Sequence, residues 1–172
     1  MMKMLQQLLN EYGESHQNRM NKTIHWFCVP AILFGLTGVL WSIPQTFFNR
    51  LTPPTLDGLL TWGTVFVLFM LFNYIRFSIT LFAGFIFISL ALVYGNMAIA
   101  NHTTVMNVFG RNMSIHFVIS FLLLVIAWVG QFIGHKIEGK KPSFLKDIQF
   151  LVIGPAWLMA VIFDKLGIPV TV

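Results

Sequence analysis

His16, His25, His135 and Glu138 are the residues of this chain whose types and placement could hold a metal ion. Imidazole and carboxylate together suit a redox-active or Lewis-acid cation. Two or three histidines with one carboxylate and open positions suit non-haem Fe(II), and zinc accepts the same donors. Trp128, Gln131, His135 and Glu138 follow i, i+3, i+7, i+10, which is one face of a helix. Asn18, Asn21 and His25 share a face of a second helix if that helix reaches back so far. His16 lies nine residues before His25, half a turn out of phase, which puts it in a linker folding back over the site. Asn18, Asn21 and Gln131 are the polar neighbours expected to orient the ligands. A single histidine at the end of a membrane helix is more often a cap than a ligand. Three of them converging beside a carboxylate is what favours a metal, because ionisable groups at membrane depth are costly to keep.

The elements that must position these residues are membrane helices. The chain has 172 residues, 56% hydrophobic and only 10% charged, with a mean hydropathy of +0.76. A soluble domain carries roughly 25% charged residues. The expected fold is therefore all-α, a multi-pass transmembrane bundle in one integral membrane domain over 1–172. It comprises an amphipathic helix over 1–15, four spans at about 23–43, 58–74, 78–99 and 115–134, and a fifth short or re-entrant hydrophobic helix at 148–164. Asn21 is the expected N-cap of the first span. Residues 58–99 carry one charge, Arg76, and would make a helix of ~63 Å if continuous, about twice the bilayer core. They must fold back, and NYIRFS at 73–78 is the break. Leu5, Leu8, Leu9 and Tyr12 recur at helical spacing, so the first helix lies on the membrane surface or caps the bundle. Gly130 and Gly134 form a small-xxx-small pair that admits a close neighbour.

Charge orients the bundle. With the N-terminus cytoplasmic, that side holds Lys3, Arg19, Lys22, Arg76, Lys136, Lys140, Lys141 and Lys146. The far side holds Arg50 and Arg111, plus Lys165 if the last segment spans. The excess predicts a cytoplasmic N-terminus. The basic residues then read as topology determinants and not as a nucleic-acid surface, so no nucleic-acid partner is expected, and Lys136 is the candidate contact for an acidic head group. This orientation gathers His16, His25 and His135 on one side and leaves His102 and His116 on the other. His116 and His135 are 19 residues apart, ~28 Å along a helix, and cannot share one ligand set. Cys28 stands alone, so no intrachain disulfide is possible. No Gly-rich phosphate loop or dinucleotide fingerprint is present. Topology is compatible with a bacterial inner membrane or an endoplasmic reticulum, and the compact chain favours the former.

The stretches YGESHQNRMNKTIHWFCVP and WVGQFIGHKIEGKKPSFLKDIQFLVIGP resemble the Mpo1-like family of membrane proteins. The first carries His16, Asn18 or Arg19, Asn21, His25 and Pro30; the second carries Gln131 to Pro142 and the Gly154-Pro155 step. The resemblance implies an Fe(II)-dependent dioxygenase acting on long-chain 2-hydroxy fatty acids and O2, removing one carbon by α-oxidation in the bilayer. By the same resemblance His16, His25 and His135 would be catalytic iron ligands, with Glu138 a further ligand or a base beside them. Ala160 and Val161 occupy a region where some members carry an acidic residue, so no ligand is expected there. Two other readings stand beside this one. One is a non-catalytic scaffold or small permease whose histidines cap helices. The other is a zinc-dependent lipid hydrolase.

Overall fold

The computed structural model describes residues 2–50, 53, 58–102, 104–108, 110–139 and 144–170. Among the described residues six α-helices carry the fold: α1 (Met2–Glu14), α2 (Arg19–Trp41), α3 (Trp62–Phe77), α4 (Ile79–Ala100), α5 (Ile115–Glu138) and α6 (Phe144–Lys165). A helical bundle is there as expected, with three helices of spanning length where four were expected and one departure from an all-α fold among the described residues. Residues 105–108 (β1) and 111–114 (β2) pair antiparallel, Val105 opposite Ser114 and Val108 opposite Arg111. Gly110, at φ 77°, turns the hairpin. Among the described residues, α2, α4 and α5 are long and apolar enough to cross a membrane, and α3 is a shorter apolar helix.

The boundaries follow from local chemistry. α2 starts at Arg19, earlier than expected, because Asn18 and not Asn21 is its N-cap: the Asn18 side chain accepts from Met20 N at 2.9 Å. The break at 73–78 is a single residue. Ser78 ends α3 in extended conformation and its hydroxyl caps α4 by accepting from Leu81 N. α5 runs one turn beyond the expected end and stops after Glu138, where Gly139 adopts φ 73°.

α5 packs chiefly on α2, and glycines make this possible. A Cβ on Gly35 would sit 2.8 Å from Ser120 O and 2.9 Å from Leu124 N, so the two backbones nearly touch. At the other end Gly130 and Gly134 let the Cys28 and Asn21 side chains close on α5, the close neighbour that their spacing predicted.

α1 and α6 close the histidine end. Leu5, Leu9 and Tyr12 are buried in the same apolar cluster as Ile153, Ala156 and Met159 of α6, so α1 caps the bundle. The described contacts of α6 fall towards the near ends of the other helices. Val152 O accepts from Tyr74 Oη at 2.7 Å; Gly154 faces Tyr12 and Val29; Phe163 lies against Gly84; and Lys165 Nζ stands 6.0 Å over the Trp26 ring. These partners span one end of the bundle, so α6 lies across it. Lys165 therefore belongs to the histidine end and not to the far side, where a fifth span would have put it. Lys140 and Lys141 lie outside the described residues, as does the side chain of Lys146.

Candidate metal centre

Three elements bring the histidines together. His16 hangs from the linker between α1 and α2, His25 projects from α2, and His135 from α5. One ring nitrogen from each falls within 4.8 Å of the others. Ring centroids are 4.2 Å apart for His16 and His25, 5.0 Å for His25 and His135, and 5.3 Å for His16 and His135. Ligands on one first-row divalent cation, with bonds of about 2.0–2.1 Å, lie about 3 Å apart, so small side-chain adjustments suffice. His16 and His25 are buried and His135 is half-buried.

The backbone sets two tautomers. His16 Nδ1 donates to Tyr12 O at 2.6 Å, and His25 Nδ1 donates to Asn21 O at 3.0 Å. A carbonyl only accepts, so each Nδ1 carries the proton and each Nε2 keeps its lone pair. His16 Nε2 is buried with no hydrogen-bond partner. An orphaned imidazole lone pair costs free energy unless something electrophilic fills it, and a cation does. Burial lowers the His16 pKa to about 4, opposed by the Tyr12 carbonyl and reinforced by the nearby His135. The ring is thus neutral and competent to ligate at neutral pH.

Glu138 has a different job from the one its spacing suggested. It stands outside the three-histidine cluster. Its oxygens accept from Gln17 N at 2.8 Å, Asn18 N at 2.9 Å and Asn21 Nδ2 at 3.0 Å. A carboxylate at the N-terminus of α2 also meets the positive end of that helix. Glu138 ties the His16 linker and α2 to α5, and so fixes His16 relative to His135. Of the other expected residues, Asn21 is wholly buried at the site, Asn18 is spent on capping α2, and Gln131 is half-buried one turn before His135. Trp128 is half exposed and Lys136 is exposed.

Two aromatic residues that periodicity did not single out for the site complete it. The Tyr12 ring stacks on His16 at 4.1 Å, 16° from parallel, and Trp157 lies 5.7 Å from the same ring. Their one sequence signal was an apolar helix at each end of the chain. His116 and His102 are at the other end, as expected. His116 Nε2 bonds Asn96 Oδ1 at 3.0 Å and lines a separate cleft of about 520 Å³ with Trp41 and Ser42.

Residues 2–166 match the Mpo1-like family, described as 2-hydroxy-palmitic acid dioxygenase Mpo1-like. The chain belongs to this family. It is 28% identical over 166 residues to the 2-hydroxy-palmitic acid dioxygenase MPO1 of Saccharomyces cerevisiae, covering 95% of this chain and 82% of that relative. No solved structure matches. Membership in the Mpo1-like family extends over every element that builds the histidine cluster, α1 to α6, and not over one motif alone.

Proposed function

We propose that this chain is a membrane-bound, Fe(II)-dependent dioxygenase that shortens long-chain 2-hydroxy fatty acids by one carbon. The observation that carries this reading is the donor set: three converging histidines, two with Nε2 left bare by their own backbone, at one end of apolar helices. The substrate class comes from the yeast relative, a 2-hydroxy-palmitic acid dioxygenase. Glu138 is spent elsewhere, so the donors are neutral and a bound divalent cation keeps its full charge. Such a centre favours an anionic chelator, and a 2-hydroxy carboxylate offers carboxylate and hydroxyl oxygens in one five-membered ring.

The reaction R-CH(OH)-COOH + O2 → R-COOH + CO2 + H2O balances as written, so no 2-oxoglutarate is needed. Iron, when bound, supplies a template for the chelating oxygens and a means of activating O2. The protein's own residues do the rest. His16, His25 and His135 hold the metal. Tyr12 and Trp157 cover the His16 side and keep water from it. Exposed Lys136, next to His135, draws the acidic head group to the membrane surface, while the acyl chain stays among apolar side chains. Three histidines are also a donor set of catalytic zinc, which keeps the zinc-dependent lipid hydrolase as a second reading.

One measurement tests both. Elemental analysis of detergent-purified protein should find about one iron per chain, lost in His135→Ala, with turnover of 2-hydroxypalmitate that needs O2. Zinc, with activity that survives without O2, selects the hydrolase. No metal, even after anaerobic Fe(II) loading, leaves a membrane scaffold.

A further inference from the structure

Asn21 is wholly buried, and its two side-chain ends are treated differently. Nδ2 donates to Ser15 O at 3.3 Å and to Glu138 Oε2 at 3.0 Å. Both partners accept only, so the amide cannot flip: the nitrogen must face them and the oxygen must face away. Oδ1, buried, has no hydrogen-bond partner. A buried carbonyl left unpaired is uncommon and costly.

Where this oxygen points is fixed by Gly134, the residue before His135. A Cβ on Gly134 would overlap Asn21 Oδ1 and lie 3.3 Å from His25 Cε1 and 3.4 Å from His25 Nδ1. The amide oxygen and the Cε1–Nδ1 edge of the His25 imidazole therefore border one spot on α5, one residue before His135. Only glycine at 134 leaves room for both.

We infer that Asn21 Oδ1 is the hydrogen-bond acceptor for the 2-hydroxyl proton of the substrate, and that it sets the preference for 2-hydroxy acids over acids lacking that group. This rests on the function proposed above. The hydroxyl is the one proton-bearing group that a chelating 2-hydroxy carboxylate brings to the metal at neutral pH. A site holding a buried acceptor for it discriminates against a ligand without it, because the acceptor then stays unpaired. Glu138 is a positioning residue in this scheme: it holds the amide nitrogen and so aims the oxygen. His25 does not depend on the Asn21 side chain, since its Nδ1 donates to the Asn21 backbone carbonyl.

The test is binding, not turnover. Full-length protein loaded with redox-inert zinc is titrated with 2-hydroxypalmitate and with palmitate by calorimetry, wild type beside Asn21→Leu and Gly134→Ala. Wild type should prefer the hydroxy acid, and Asn21→Leu should keep its metal while losing about tenfold of that preference. Gly134→Ala, which displaces the oxygen without removing it, should lose preference in the same direction. Should either variant misfold, wild type titrated with 2-methoxypalmitate supplies the same comparison from the ligand side, since the ether cannot donate; its binding should fall toward that of palmitate. Preference unchanged in a metal-retaining Asn21→Leu, or 2-methoxypalmitate bound as tightly as the hydroxy acid, overturns the inference alone. Loss of metal in Asn21→Leu also overturns it, assigning Asn21 to ligand support. A wild type that binds both acids alike removes the substrate reading itself.

Discussion

At the scale of single residues, the proposed chemistry depends on lone pairs that the backbone leaves unused. His16 is held neutral, with a pKa near 4 against the ordinary 6.5. A lowered folded-state value means the unfolded chain binds the proton more readily. The stability contributed by neutral His16 is therefore complete above pH 6.5 and is lost as pH falls from there through 4. Metal retention should follow the same window, because protons then compete for Nε2. Dialysis at stepped pH with metal analysis checks this; retention flat down to pH 4 would remove His16 from the ligand set. Glu138→Ala leaves Gln17 N, Asn18 N and the Asn21 amide without their acceptor. Loss of a helix-capping acceptor costs about 1–2 kcal/mol, which thermal unfolding should register, and the freed linker should also weaken metal binding. Unchanged melting with full metal content would show that the tie does not hold His16.

At the scale of elements, the site depends on how closely α2 and α5 approach. Gly35→Leu puts a side chain where Ser120 O and Leu124 N already lie within 3 Å of the Cβ position. Backbone cannot yield as a side-chain tip can, so the helices must part, and His135 moves away from His25 at the far end of the same contact. Lower yield of folded protein and loss of metal are expected, whereas Gly58→Ala, at a position with nothing near its Cβ but with positive φ, should leave the centre intact. α6 contributes through α3: Tyr74 is fully buried and its hydroxyl donates to Val152 O. Tyr74→Phe should cost about 1 kcal/mol in a detergent melt, and no change would mean that the helix across the histidine end is held by apolar packing alone.

At the scale of the molecule, the bundle is asymmetric in charge and in chemistry. The histidine end carries Arg19, Lys22, Arg76, Lys136 and Lys165, and the other end Arg50 and Arg111. This bias predicts that the histidine end faces the cytoplasm. With Cys28 replaced by serine, an impermeant maleimide applied to intact cells should label Asn107→Cys on the hairpin and spare Gln6→Cys on α1. The reverse pattern would invert the orientation. On the proposed reading, a substrate with a polar head and an apolar tail would meet the histidine cluster at the boundary where these two environments join.

What the sequence by itself determined was periodic or compositional. Long apolar runs can satisfy their backbone only as helices, so the bundle, the fold-back near Arg76 and the grouping of His16, His25 and His135 were legible. The glycine spacing foretold a close helix partner but not which helix. Tertiary structure alone decided the rest, because it concerns which atoms face each other. Glu138 shares a helix face with His135, and that periodicity suggested a ligand. Only the docking of α2 shows its oxygens taken by Gln17, Asn18 and Asn21. Hydropathy cannot separate a helix that crosses a bilayer from one that lies across the end of a bundle, and contacts at Tyr74, Gly84 and Trp26 were needed to place α6. Tyr12 and Trp157 come from opposite ends of the chain, and no local pattern could have brought them to the same histidine.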